Sequence, residues 1–334
     1  MTVNEFIGQW HDGSDTVEVH TSGSTGTPKV MRVEKRRMLA SARATCDFLG
    51  LQPGDTALLC MSVDYIAGKM MVVRAIEREM RLLSVEPSSH PLSMPEIADE
   101  MGKNVDFAAM VPMQVYSSLQ VSREREILGN IRHIIIGGGP LDPSLEEQLR
   151  EFDNGIWHSY GMTETLSHIA LRRVSGKEAS SWFTPMAGVT LSTTDEGCLV
   201  IDAPHLCTDR LVTRDVVEMK PGTQLFKVLG RIDNVINTGG VKVHIEQIEK
   251  TLAPHINKPF LITKCPDTKF GEVVVMLLQG SDSDIEDARL ACEQHLHKYA
   301  RPKHIITVPA LPMTPTGKPA RHTAAAIAES KVHS

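Results

Sequence analysis

Residues 21–29 read Thr-Ser-Gly-Ser-Thr-Gly-Thr-Pro-Lys, a run of hydroxyls, glycines and one ammonium dense enough to converge on a polyanion. Gly23 and Gly26 let backbone N–H groups approach phosphate oxygens closely, because glycine has no Cβ. Thr21, Ser22, Ser24 and Thr25 add donors without bulk, and Lys29 adds a full positive charge. Thr27 and Pro28 separate Gly26 from Lys29, so the run is not the Gly-Lys-Ser/Thr loop of Walker-type NTPases. The competing reading is a plain polar surface loop.

A second cluster is Tyr160-Gly-Met-Thr-Glu-Thr165, directly after the apolar stretch 155–158. Tyr160 can stack on a base, Thr163 can donate to a phosphate oxygen, and Glu164 can hold a Mg²⁺ that bridges phosphates. Gly161 and Met162 complete the turn. Without the first loop, Glu164 could equally be an acid favouring a helix N-terminus. Between the two clusters lies Gly137-Gly-Gly-Pro-Leu141, where Gly138, Gly139 and Pro140 after a buried strand would let a flat ring approach the backbone. Asp215, in Thr213-Arg214-Asp215, can accept from both hydroxyls of a ribose, or it is a turn residue. Arg231, in Gly230-Arg231-Ile232-Asp233, can support the ribose and phosphate region, or it is a surface charge.

In this order the motifs resemble the adenylate-forming superfamily of acyl-CoA ligases, peptide-synthetase adenylation domains and luciferases. The resemblance covers about residues 20–320. Gly139 stands where most of the family has alanine. The resemblance implies an adenylate-forming enzyme fold that binds ATP and Mg²⁺, with CoA as co-substrate. It makes Asp233 the hinge of a mobile C-terminal domain and lays Gly239 and Gly240 along the pantetheine route. A simple hairpin turn at Thr238-Gly239-Gly240 competes with that role. Pro315-Thr-Gly-Lys-Pro319 resembles the family's lysine loop, which makes Lys318 the cation that neutralises charge during attack on the α-phosphate.

The run Met61–Arg74 bears on which acid is activated. Past Gly68 its helix is apolar nearly all round, so Arg74 within it is buried and needs a carboxylate or an equivalent partner. That partner is either an internal Asp or Glu, or a second carboxylate on the substrate. The Tyr-Ile-Ala-Gly-Lys-Met-Met run is similar to compact o-succinylbenzoate–CoA ligases of menaquinone biosynthesis. The resemblance makes Arg74 the anchor of the acid that is not activated, Tyr65 the gate of the acid pocket and Lys69 a second candidate. Three alternatives stay open: another carboxylic acid, delivery of the acyl group to a carrier protein, and a non-catalytic nucleotide-binding regulator.

The elements that must position these residues alternate. Strands are predicted at 56–61, 105–111, 131–136, 155–158, 198–202 and 224–229, and helices at 36–49, 68–80 and 143–151, which reads as α/β with parallel sheet. Gly50 ends the first helix, and Asp142-Pro143 caps the third. From residue 233 the pattern changes to helix 245–253, strands 260–264 and 272–279, helix 284–298 and strand 304–308. The expectation is a shortened N-terminal α/β domain over 1–232 and a small C-terminal α+β domain over 233–334. Only twenty residues precede the phosphate loop, against more than a hundred in most of the family, so a homodimer is expected to cover exposed apolar surface. At 41% hydrophobic and 23% charged the composition is that of a globular protein, and a net charge of −6 argues against nucleic acid. Met1–Trp10 lacks a signal-peptide core, no run reaches membrane-spanning length, and the six cysteines form no Cys-x-x-Cys pair. These features set the expectation of a cytoplasmic enzyme without a transition metal or a membrane.

Overall fold

The computed structural model describes residues 1–20, 30–95, 97, 105–313 and 319–332. The chain divides into two compact units: 1–192 with 200–211 and 219–227, and 228–334 with 193–199 and 212–218.

The first unit opens with α1 (Val3–Trp10), where Thr2 and Glu5 form a reciprocal capping box and Phe6 and Trp10 are buried. Two antiparallel strands follow, β1 (Thr16–His20) and β2 (Val30–Glu34), in register from Thr16↔Glu34 to His20↔Val30. The sequence reading found none of these three elements. Next come α2 (Lys35–Leu49), β3 (Thr56–Leu59), α3 (Ile66–Glu77), β4 (Arg81–Ser84) and β5 (Phe107–Met110). They are followed by α4 (Pro112–Leu119), α5 (Ser122–Asn130), β6 (His133–Ile136) and α6 (Pro143–Leu149). The unit's main sheet closes with β7 (Gly155–Gly161), β8 (His168–Arg173) and β9 (Thr184–Pro185). Gly50 stops α2 with φ 65°, and the Asp142 carboxylate caps α6 by accepting from the Ser144 N–H at 2.8 Å.

The main sheet runs β4-β3-β5-β6-β7-β8-β9, parallel from β4 to β7 and antiparallel at β8 and β9. Every residue of β3 and β5 is buried, as expected for parallel strands covered on both faces. Leu58, Met110, Ile134, Ile136 and Ile156 from the strands pack with Val115, Leu119, Ile127, Leu128 and Leu149 from the helices in one core. This sheet brings Gly137–Pro140 and Tyr160–Thr165 to the carboxyl ends of neighbouring strands, the usual place for a ligand in such folds.

A four-stranded sheet, β10 (Thr190–Thr193), β11 (Cys198–Asp202), β12 (Leu211–Met219) and β13 (Phe226–Arg231), supplies segments to both units. The second unit continues with β14 (Val235–Thr238), β15 (Val241–His244), α7 (Ile245–Leu252), β16 (Phe260–Asp267) and β17 (Gly271–Gln279). It ends with α8 (Ile285–His295), β18 (His304–Val308) and α9 (Arg321–Val332). Its sheet runs β15-β14-β17-β16, with β18 parallel on β17, over a core that includes Ile236, Ile248, Leu252, Met276 and Leu278. The compact division therefore falls inside the four-stranded sheet, whereas a linear reading places one boundary at Asp233. The strands β10 to β13 pair in chain order and their segments alternate between the units, so no single cut reproduces the division. Among the described residues no helix is long and apolar enough to cross a membrane.

Candidate active site

Residues 21–29, which include Thr21, Ser22, Gly23, Ser24, Thr25, Gly26 and Lys29, lie outside the described residues, and so does Lys318. What is described is the stem of the first loop. His20 pairs with Val30, so β1 and β2 fix where the loop leaves and returns.

Two imidazole-centred contacts hold the ends of β6 and β7. Arg172 is clamped by Glu146 through two bonds of 2.8 Å and donates from Nε to His158 Nδ1 at 3.3 Å. His158 must then carry its proton on Nε2, which donates to the Gly139 carbonyl at 3.1 Å. Ser159 Oγ donates to the Ile136 carbonyl at 3.1 Å and would lie 2.8 Å from a Cβ on Gly137. Gly138 has φ 85°, whereas Gly139 faces open space. The glycine in the alanine position is thus the one whose local space leaves room for a methyl group.

Gly161 has a reason internal to the chain. A Cβ there would lie 2.5 Å from the Ser167 carbonyl oxygen and the His168 Cα. A 3₁₀ turn over Thr163–Thr165 follows, closed by Thr165 Oγ1, which accepts from the Met162 N–H at 3.1 Å. Leu166 is buried at φ 65°, a left-handed conformation that only a constrained environment holds in a residue with a branched side chain. Thr163 is half-buried and Glu164 is exposed, with no ion pair among the described residues. A hard carboxylate donor left free in this way fits Mg²⁺, which takes one or two carboxylates and completes its shell with phosphate oxygens and water. Tyr160 is half-buried, edge-to-face against Phe226 at 5.2 Å, and Phe226 stacks with Phe183.

Helix α3 is buried at every residue from Gly68 to Ala75. Gly68 admits the close approach of the preceding turn, since a Cβ would meet the Ser62 carbonyl at 2.2 Å. Tyr65 is exposed at the helix N-cap. Arg74 lies nine positions on, about 13 Å of helical rise away. Lys69 Nζ donates to the Glu18 carbonyl of β1 at 3.1 Å and sits 5.4 Å above the Phe6 ring, and burial lowers its pKa. These contacts direct Lys69 toward β1 and α1.

Arg74 is 3% exposed. Its Nη2 donates to Ser167 Oγ at 2.6 Å and its Nη1 reaches the Met71 sulfur at 3.8 Å, while Nε has no partner among the described residues. Among the described residues no carboxylate pairs with it. Burial pulls the guanidinium from 12.5 down to about 10, so it stays charged at neutral pH. Ser167, and His168 beside it, were missed by the sequence reading. The need for a partner to Arg74 was legible, but not that a serine 93 positions away meets it.

In the second unit Asp215, Arg231 and Asp233 do come together. Arg231 reaches Asp215 at 3.5 Å and Asp233 at 3.1 Å. Arg214, to which the sequence reading gave no role, donates from Nε to both Asp233 oxygens at 2.8 and 2.7 Å. These guanidinium contacts, Arg214 first, lower the Asp233 pKa. Thr213, Arg214 and Ile232 help line a cleft of about 510 Å³ with Thr194, Glu196, Cys198 and Val212. A second cavity, of about 240 Å³ in the first unit, is lined by Trp157, Trp182, Arg173 and Lys220 among others, and not by the motif residues. Gly239 and Gly240 have φ 58° and 84° between the paired residues Thr238 and Val241. A two-residue hairpin turn with both central φ positive demands glycine by itself.

The parallel sheet with its loop stem, glycine turn and tyrosine–glutamate turn defines an AMP-forming, adenylate-forming enzyme of the acid–CoA ligase class. The family model described as AMP-binding enzyme matches residues 15–203, and the chain belongs to that family. It is similar to a 2-succinylbenzoate–CoA ligase of Enterococcus faecalis, 25% identical over 91% of this chain and 68% of that protein. Among solved structures it is similar to an acyl-CoA synthetase (AMP-forming)/AMP-acid ligase II-like protein from Dyadobacter fermentans, with TM-score 0.66 and 34% identity over 96% of this chain and 91% of that one. It also shares its fold with an o-succinylbenzoate CoA synthetase of Bacillus subtilis bound to its acyl-adenylate, with TM-score 0.73 and 21% identity over 92% and 68% of the two chains. That B. subtilis enzyme has also been solved with ATP and a magnesium ion.

Proposed function

We propose that this ligase activates an aromatic dicarboxylic acid, o-succinylbenzoate foremost, and delivers it to CoA. The observation that carries the choice of acid is Arg74: a buried, charged guanidinium with no carboxylate partner among the described residues. A buried cation is costly unless paired, so its natural partner is the second carboxylate of the substrate. The similarity to 2-succinylbenzoate–CoA ligases supports the same reading.

In the first step a substrate carboxylate oxygen attacks the α-phosphorus of ATP, the acyl–phosphate bond forms, and pyrophosphate leaves. Thr21, Ser22, Gly23, Ser24, Thr25, Gly26 and Lys29 cradle the departing phosphates, and Thr163 donates to a phosphate oxygen. Glu164 would hold Mg²⁺, whose chemistry is to neutralise phosphate charge. Gly138, Gly139, Pro140, Tyr160, Gly161 and Met162 border the adenine, while Asp215 and Arg231 take the ribose. Lys318 stabilises the charge that develops during attack. In the second step the CoA thiol attacks the acyl carbonyl and AMP leaves. The C-terminal domain turns about Asp233 between the steps, withdrawing Lys318 and bringing Gly239 and Gly240 to the pantetheine. Tyr65 gates the acid and Lys69 is a weaker second contact. A cytoplasmic homodimer completes the proposal, and a monomer by light scattering would overturn that part of it.

The test is pyrophosphate release with Mg²⁺ and ATP over a panel of mono- and dicarboxylic acids, with and without CoA, products being weighed by mass spectrometry. A CoA thioester formed selectively from o-succinylbenzoate is the expected result. Pyrophosphate without any thioester would replace CoA by another acceptor, such as a carrier protein. No release from any acid would overturn the catalytic reading.

A further inference from the structure

Arg74 has no ion pair among the described residues but is not loose, and the hydrogen bonds behind it run in one direction only. Thr45 Oγ1 donates its single proton to the Ser41 carbonyl one turn earlier in α2, at 3.0 Å. Its lone pair is therefore what faces His168 Nε2 at 3.1 Å, so Nε2 carries the imidazole proton. His168 Nδ1 is left as an acceptor for Ser167 Oγ–H at 3.3 Å. Ser167 Oγ, having given its proton away, accepts from Arg74 Nη2 at 2.6 Å. Each hydroxyl and the neutral imidazole has one proton to give, and the Ser41 carbonyl fixes which way all of them point.

We propose that Ser167, His168 and Thr45 form a positioning relay that presets the Arg74 guanidinium for the second carboxylate of a dicarboxylic acid. The inference rests on the reading of Arg74 as the acid anchor. Two further features support it. His168 is buried, and desolvation followed by the nearby charge of Arg74 holds its pKa well below 6.5, which keeps Nδ1 available as an acceptor. Thr165 Oγ1 lies 2.8 Å from the Ser167 carbonyl, and Leu166 between them is held at φ 65°. The turn that carries Glu164, the proposed Mg²⁺ ligand, therefore also sets the hydroxyl behind Arg74.

The test compares steady-state kinetics of Ser167→Ala, Thr45→Val, Thr45→Ser and Arg74→Ala, with o-succinylbenzoate varied at saturating ATP and the reverse. The expected result for Ser167→Ala is about a tenfold rise in KM for the diacid, with kcat and the KM for ATP unchanged, because one bond to a charged group is lost. Thr45→Val, isosteric and at the far end of the relay, should raise the same KM about threefold by the same reasoning, and Thr45→Ser should restore it. If Arg74→Ala raises the diacid KM while Ser167→Ala and Thr45→Val do not, the relay is overturned and the anchor stands. If Arg74→Ala itself leaves the diacid KM unchanged, the anchor reading falls. A loss in kcat, or a parallel rise in both KM values, would reduce Ser167 and Thr45 to structural residues and overturn the proposal.

Discussion

Arginine is used in opposite ways in the two units. In the first, Arg74 is buried in a helix that shows no exposed face from Gly68 to Ala75, and it touches a hydroxyl and a thioether. In the second, Arg214 and Arg231 have half or more of their side chains exposed, and they share Asp215 and Asp233. Water screens the second cluster, so its pairs form and separate cheaply, as the hinge proposed at Asp233 would require. The first site is buried and shows no counter-charge among the described residues, so its guanidinium is held in place at the expense of stability and gains most when an anion arrives. A fixed buried cation should act on affinity, whereas Lys318, read as the transition-state cation, should act on a rate.

The largest effect tests the rate half of that contrast. Lys318→Ala should slow adenylate formation at least about a hundredfold, the scale for losing a transition-state donor, and leave thioester formation from supplied acyl-adenylate intact. Equal losses in both half-reactions would remove Lys318 from the first step. Next, Arg74→Ala should raise the KM for the diacid about 30- to 100-fold, corresponding to about 2–3 kcal/mol for a charge-assisted contact, without changing the KM for ATP.

Stability separates the two regions further. Arg74→Met should raise the unfolding free energy of the ligand-free enzyme by about 1–3 kcal/mol, because an apolar side chain replaces a buried charge that has no ion pair among the described residues. Arg214→Met should barely move the melting temperature. Equal shifts would show that burial does not distinguish the two sites. A similar contrast holds among the motif glycines. Gly161→Ala should destabilise by about 1–3 kcal/mol through overpacking, and Gly139→Ala by no more than about 0.5 kcal/mol.

The smallest effect lies on the acid limb. The Asp233 pKa is lowered in the folded protein, so its contribution is present above the unfolded value near 3.8 and is lost as pH falls through the folded one. Arg214→Ala should therefore cost a little stability at neutral pH and in low salt, a difference that disappears as pH falls below 4, so that acid unfolding is slightly flatter. A change at pH 7 that persists at high salt would contradict the screened character of the cluster.

Much of the fold was readable along the chain, because most of its strands and helices are continuous runs with their own stop signals. Strand 198–202 and strand 304–308 fall where the apolar pattern puts them, and Gly50 and Asp142 end or begin their helices as expected. Less readable were β1, β2 and β8. The first two are short strands with nine residues between their paired ends along the chain, and β8 follows the turn of a candidate binding motif. The glycines divide in the same manner. A hairpin turn accounts for Gly239 and Gly240 from local backbone geometry alone, whereas the need for Gly161 comes from the backbone of residues 167 and 168 across the β7–β8 pair.

The sequence by itself determined the family, the α/β class and the residue types at the candidate site, because these rest on local spacing and composition. It also determined that an arginine in an apolar helix must find a partner. Only the tertiary structure decided that a serine meets it, and that a histidine and a threonine stand behind that serine. Those contacts join positions 93 and 123 residues apart, and the direction of each proton follows from donors and acceptors that meet only once the sheet and helices have packed.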